Sequence, residues 1–257
     1  MEKQIKQGDF TLLAKNYKHR VGYSKLVLDN LAAYLKINDK TIIADIAAGT
    51  GKLTKNLLEY PLQRIFCIEP NDSMRDEGRG YITSAKAEWL KGSGEQTTLS
   101  DESIDWITVG SAFHWMDLEV TLKEFHRILK PGGFFTAIWN PRNIVGDKLH
   151  EEIEDVIYKK APFIERKSSG SGKSTQDLDL KIISTGQFAD VLYVEAKHTE
   201  IMTKERYMGI WDSVNDIPAQ TGPELWNEII EKIKDIIKPY DKIAVPYKTR
   251  SWTARKK

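Results

Sequence analysis

Between residues 41 and 140 the chain alternates short apolar runs with helical stretches, and this alternation constrains the fold more than any other feature. "TIIADIAA" opens the series, followed by a glycine-bearing turn and by "KLTKNLLEY", a helix that Pro61 closes. "RIFCIEP" (64–70) is a second apolar run, with Glu69 at its carboxyl end. "NDSMRDEGRG" (71–80) starts a helix capped by Asn71 or Asp72. "AKAEWLKGS" reads as a weaker third strand, "SIDWITVGSA" (103–112) as a fourth and "FFTAIWN" (134–140) as a fifth. Ahead of the fifth, Leu118, Leu122, Phe125 and Leu129 mark one face of an amphipathic helix, and "KPGG" reads as a turn. Strands alternating with helices predict an α/β parallel sheet with helices on both faces. Ligands of such sheets bind beyond the carboxyl ends of the strands, where strand order reverses.

The flanks are less regular. Residues 10–35 read as helical, with Leu26, Val27, Asn30, Leu31 and Tyr34 at helical spacing. "GDKLHEEIEDVIYKKA" reads as a helix, "ERKSSGSGKSTQD" as a mobile polar loop and "FADVLYVEAKHTEIMT" as a strand. "GPELWNEIIEKIKDIIK" is a helix with Pro223 near its first turn, and "KIAVPYKTRSWTARK" a last strand that closes the sheet.

Bulk properties narrow the function. The 257 residues suit one large domain, or one domain with an insertion. With 38 basic and 37 acidic residues, the net charge of +1 supplies no field that would favour nucleic acid or a membrane surface. Cys67 is the single cysteine, so no intrachain disulfide forms and nothing suggests an oxidising compartment. "MEKQIKQGDF" is polar and lacks a signal peptide's apolar core, and no apolar run reaches the ~18 residues of a spanning helix. A cytoplasmic protein without a membrane or nucleic-acid partner is the expectation. The five histidines are scattered, so no metal is expected either.

Two glycine clusters suggest phosphate binding, and counting positions rejects both. A phosphate loop needs G-x-x-x-x-G-K-[ST]. Before Gly172-Lys173 the first glycine position holds Lys167; before Gly51-Lys52 it holds Ile46, and Leu53 replaces the magnesium-binding hydroxyl. The dinucleotide pattern G-x-G-x-x-G fares better at Gly49 and Gly51, but its third glycine is Thr54, which argues against an NAD-dependent oxidoreductase. What survives is a backbone able to approach a ligand closely, with Glu69 placed to accept both hydroxyls of a ribose.

"D-x-A-x-G-T-G" (45–51), "IEPNDSM" (68–74), "GSGEQTTLSDESIDWITVGSAFHW" (92–115) and "FHRILKPGGFFTAIWN" (125–140), in this order and spacing, resemble class I S-adenosylmethionine-dependent methyltransferases. The group is that of the ubiquinone/menaquinone-type and trans-aconitate-type small-molecule enzymes. The resemblance implies an α/β, Rossmann-like, seven-stranded, mostly parallel sheet with helices on both faces and a small cap or lid. It implies a single domain over 1–257: a cofactor-binding core with N-terminal lid over 10–143, a substrate cap over about 145–220, and a C-terminal helix and closing strand over 223–257.

It also implies roles. Asp45 orients the first loop and lies near the methionine ammonium, or merely caps the loop. Ala47, Gly49 and Gly51 let backbone pass the methionyl and ribose groups, and Glu69 takes the ribose hydroxyls. Pro70 and Met74 sandwich the adenine, unless Met74 is core. Ser93, Gly94 and Glu95 read the adenine edge, with Ser93 where many relatives carry Asp. Gly110 and Ser111 lie beneath the sulfonium. "NYKHRVGY" (16–23) resembles a lid in which Tyr17 and Arg20 close over the cofactor, with Val21 where relatives have proline. His114 is a general base, a pocket contact or a packed residue. Trp115, Trp139 and Trp211 wall the acceptor pocket, and Arg142 binds an anionic acceptor. The expected ligands are S-adenosyl-L-methionine and a small-molecule acceptor methylated on O, N or C. The alternatives are a regulator or assembly partner that binds the cofactor without turnover, and RNA or protein as substrate.

Overall fold

The computed structural model describes residues 8–166 and 175–257. The expected loop "ERKSSGSGKSTQD" lies mostly outside these residues, as does "SSGSGKST". Seven strands form one sheet in the order β3-β2-β1-β4-β5-β7-β6. They are β1 (Ile42–Ile46), β2 (Arg64–Ile68), β3 (Ala87–Leu90), β4 (Ile104–Gly110), β5 (Leu129–Trp139), β6 (Phe188–Thr203) and β7 (Lys242–Lys256). Pairs β1/β2, β2/β3, β1/β4 and β4/β5 are parallel; β5/β7 is antiparallel. The order reverses between β1 and β4, and sheets of this kind bind ligands at the carboxyl ends of the strands beside such a reversal, here β1, β2 and β4.

The chain forms two compact units. The core unit comprises Gly22–Pro141, Ser169–Ala196 and Lys248–Lys257; the second comprises Met1–Val21, Arg142–Ser168 and Lys197–Tyr247. In the core unit, alternate strand residues feed opposite faces. Ala44, Ile46, Ile107, Val109, Phe135 and Ala137 pack with α4 (Leu118–Ile128) and α6 (Leu178–Ser184). Ile43, Trp106 and Ile138 face the other way, onto α1 (Lys25–Tyr34) and α2 (Lys52–Leu57). In the second unit, α5 (Lys148–Lys160), α7 (Lys204–Trp211) and α8 (Asp216–Ile237) share a separate apolar core around Ile157, Trp211 and Ile233.

Three local expectations change. The helical reading of 10–35 breaks into a 3-10 helix, Thr11–His19, and α1. At the break the amides of Tyr23 and Ser24 donate to the side chains of Asn56 and Thr249, so tertiary hydrogen bonds replace helical ones. "KPGG" is a bulge inside β5 and not a turn ahead of it. Leu129 pairs with Ile104 and Phe134 with Trp106, while Gly132 at φ +75° lets the residues between leave the ladder. Finally, Gly222 (φ 74°, ψ 173°) kinks α8, and the helix expected from Pro223 is its second part. Among the described residues no helix is long and apolar enough to cross a membrane.

Candidate functional site

β1 ends at Ile46, and the chain then turns through left-handed backbone at Ala47 (φ +54°), Gly49 (+59°) and Gly51 (+81°). Gly51 is the N-cap of α2, and a Cβ there would also lie 2.7 Å from Ile82. Two backbone bonds fix the loop, from Ala48 N to Ile68 O (3.1 Å) and from Gly51 N to Ala48 O (2.9 Å).

Glu69, one residue past β2 and 6% exposed, aims its carboxylate back at this loop. Oε2 accepts from Gly49 N at 2.8 Å and Oε1 from Asn71 N at 2.9 Å. Each oxygen retains a further lone pair, so the carboxylate can accept two vicinal hydroxyls. Burial raises its pKa, opposed by the amides of Asn71 and Gly49. Arg75, buried on α3 (Asp72–Tyr81), donates to the Glu69 carbonyl at 2.9 Å and fixes the strand end. Pro70 is exposed; Met74 is buried, its terminal methyl 3.3 Å from where a Gly49 Cβ would stand.

Asp45 is 1% exposed and accepts from Thr54 Oγ1 (2.6 Å) and Thr108 Oγ1 (3.1 Å). It ties the loop's helix to β4. Burial pushes its pKa up to about 6 against those two hydroxyls. Past β3, Ser93 donates its amide to Gln96 O at 3.0 Å, and Gly94 lies buried beneath Met116. Glu95 Oε1 accepts from Asp117 N at 3.1 Å, beside the start of α4.

At the end of β4, Ser111 has φ +57° and donates its amide to Ile138 O at 2.8 Å. Three residues on, His114 accepts at Nδ1 from Trp139 Nε1 at 3.3 Å. That bond leaves the proton of the neutral ring on Nε2, and burial lowers the pKa to about 4. Trp115 is 44% exposed, whereas Trp139 is fully buried. Trp139 therefore orients His114 and offers no open wall.

The remaining expected residues belong to the second unit. The Arg20 guanidinium lies 4.5 Å over the Tyr17 ring and donates from Nε to Ser213 Oγ and from Nη2 to Ser213 O, both at 2.8 Å. Arg142 stacks 4.5 Å over Trp211, which is 1% exposed, and pairs with Glu154 at 2.9 Å. Around this pair the Tyr207 hydroxyl, the Trp211 indole nitrogen and His150 Nε2 are buried without a hydrogen-bond partner. His150 Nδ1 is held by Asp147 Oδ1 at 2.9 Å. Burial raises the pKa of Tyr207, with Arg142 and Trp211 opposing it.

The core-unit residues fit an adenosyl ligand. Glu69 presents its unused lone pairs, the loop exposes backbone, and Thr50 Oγ1, between the two glycines, is buried without a partner. Among the described residues no group of three or more His, Cys, Asp or Glu could hold a metal ion. Sequence reasoning missed Thr54, Thr108, Asn56, Asn140 and Thr249, which brace the site, because a polar residue's partner across the fold leaves no local pattern. It missed Tyr23 as well, although the residue lies inside a segment already singled out.

Residues 44–137 match the family model described as a methyltransferase domain. An uncharacterised methyltransferase of Schizosaccharomyces pombe is 25% identical over 84% of this chain and 83% of its own. A ubiquinone/menaquinone biosynthesis C-methyltransferase of Rubrivivax gelatinosus is 35% identical over 37% of this chain and 38% of its own. A type II methyltransferase structure from Anaeromyxobacter dehalogenans superposes with a TM-score of 0.61 at 18% identity, covering 92% of this chain and 97% of that one, which shows the shared fold. Sheet order, loop geometry and these matches agree: residues 44–137 match a methyltransferase domain, and the chain shares the fold of methyltransferase structures.

Proposed function

We propose that the protein moves the methyl group of S-adenosylmethionine to an O, N or C atom of a small organic acceptor, and that the second unit selects the acceptor. The observation that carries the acceptor reading is the set of buried, unpartnered polar atoms on Tyr207, Trp211 and His150 around Arg142. A buried polar atom without a partner costs about 1–3 kcal/mol, so a ligand that supplies the partner gains both affinity and selectivity. The balanced charge of +1 gives a polyanionic substrate no support.

When bound, S-adenosylmethionine supplies an electrophilic methyl on a sulfur that leaves readily, so alignment and exclusion of water can carry much of the rate. The protein's part begins with Glu69, which grips the ribose diol while the loop 47–51 lies against the rest. Asp45, through Thr54 and Thr108, sets the loop's position. His114, neutral and anchored by Trp139, offers an Nε2 proton. This supports a hydrogen-bond donor in the pocket over a general base, whose pKa would need to lie nearer neutrality.

The test is transfer of a tritiated methyl from labelled S-adenosylmethionine into the small-molecule fraction of a cell extract. Label in that fraction is the expected result. Cofactor binding without label in any fraction would favour a regulatory protein, and label confined to RNA or protein would reassign the acceptor.

A further inference from the structure

The segment 22–24 is clamped to the carboxyl rim of the core sheet from several sides. Asn56 Oδ1 accepts from Tyr23 N at 3.0 Å, and Thr249 Oγ1 accepts from Ser24 N at 2.9 Å. Asn140 Nδ2 donates to Gly22 O at 2.7 Å, while Thr249 Oγ1 donates to Asn140 Oδ1 at 2.7 Å. Gly22 must stay bare, since a Cβ would stand 2.6 Å from Asn56 Oδ1. These bonds aim one side chain. The Tyr23 hydroxyl lies 3.1 Å from Ser111 Oγ and 2.6 Å from where a Cβ on Gly110 would be. The phenol thus occupies the side-chain space of the last residue of β4.

The position has a chemical meaning if the functional reading above holds, on which this inference rests. Glu69, at the end of β2, fixes the ribose. Adjacent strands lie ~4.8 Å apart, so β4, two strands away, is roughly 10 Å from β2. The sulfur is joined to the ribose through one carbon and so lies about half that way, over the end of β1 and facing β4. We propose that the Tyr23 hydroxyl oxygen contacts the transferred methyl group and orients it. A methyl on a positively charged sulfur has polarised C–H bonds, which a hydroxyl oxygen accepts. In the transfer, the acceptor's lone pair forms the new bond to carbon. The carbon–sulfur pair stays on sulfur as a neutral thioether, and any proton on the acceptor passes to water. Tyr23 exchanges no proton; Ser111 orients the hydroxyl so that an oxygen lone pair faces the methyl.

The test compares S-adenosylmethionine with S-adenosylhomocysteine, which lacks that methyl, by calorimetry on the whole chain. Tyr23→Phe is expected to weaken S-adenosylmethionine binding ~2- to 5-fold and to leave S-adenosylhomocysteine binding unchanged. Equal weakening of both, or of neither, overturns the contact. A second measurement needs no variant. With methyl-¹³C S-adenosylmethionine on the unaltered protein, the methyl proton resonance is expected to move downfield on binding. An upfield move, from a ring face over the methyl, or no move, overturns it too. Failure of the unaltered protein to bind either ligand overturns the functional reading itself, so the two failures are told apart.

Discussion

The Trp139 indole nitrogen donates to Nδ1 of His114 at 3.3 Å, joining the end of β5 to the turn after β4 and fixing which nitrogen of the imidazole carries the proton. Folded His114 titrates near about 4, because burial disfavours the charged ring; an unfolded histidine titrates near ~6.5. Between these values the unfolded chain takes up a proton that the folded chain refuses. The stability contribution is therefore fully present above pH ~6.5 and falls as pH drops toward ~4, by about 3 kcal/mol. His114→Gln keeps an acceptor for Trp139 and is expected to flatten this part of the stability curve. Urea unfolding of both proteins from pH 4 to 7 measures the difference. For the same reason the turnover profile is expected to show no His114 limb near pH 6.5.

Gly110 and Tyr23 compete for one volume. Gly110→Ala places a Cβ 2.6 Å from the Tyr23 oxygen, and overpacking of this kind costs about 1–3 kcal/mol. Adding Tyr23→Phe removes that oxygen and leaves the ring carbon that carries it, 3.2 Å from the same point. The double variant is expected to recover more than half of the lost stability. A thermal-unfolding double-mutant cycle that shows simple additivity would contradict this.

Much of this arrangement was readable beforehand, and the pattern of success has a physical basis. The five parallel strands and the glycine turn follow from local periodicity and from backbone demands that one stretch of sequence states by itself. The place of Glu69 at the end of β2, facing the glycine loop, follows from spacing along adjacent strands. The Tyr23 clamp joins residues 22–24 to Asn56, Asn140 and Thr249, and none of these pairs is close in sequence. The "KPGG" bulge misled for the opposite reason: Pro-Gly-Gly has the chemistry of a turn, but the ladder resumes beyond it in the same strand.

Glu69→Gln tests the proposed hold on S-adenosylmethionine. The amide removes the charge that strengthens two backbone hydrogen bonds and turns one acceptor into a donor facing an N–H group. Charge-assisted bonds contribute about 1.5–3 kcal/mol each, so S-adenosylmethionine affinity is expected to fall at least roughly 30-fold by calorimetry. An unchanged affinity would remove Glu69 from the site.

Tyr207→Phe separates acceptor recognition from packing. The hydroxyl is buried and makes no hydrogen bond, so its removal is expected to leave stability unchanged or raise it by about 1 kcal/mol. If the hydroxyl meets the acceptor, KM for the acceptor rises at least about 5-fold while cofactor affinity holds. Reduced stability with an unaltered KM would assign Tyr207 to packing.

The two units alternate in sequence, residues 22–141, 169–196 and 248–257 being separated by the segments of the second unit. Their history of assembly follows from this. A nascent chain that has reached residue 247 contains the residues of the five parallel strands and α4, but not Arg250–Arg255, which partner the edge of β5 from Phe134 to Trp139. Until those residues leave the ribosome, that edge presents unsatisfied amides and carbonyls to any passing strand. Premature termination before that point would thus yield a sticky species, and the interval before the antiparallel partner arrives is when a chaperone would matter most.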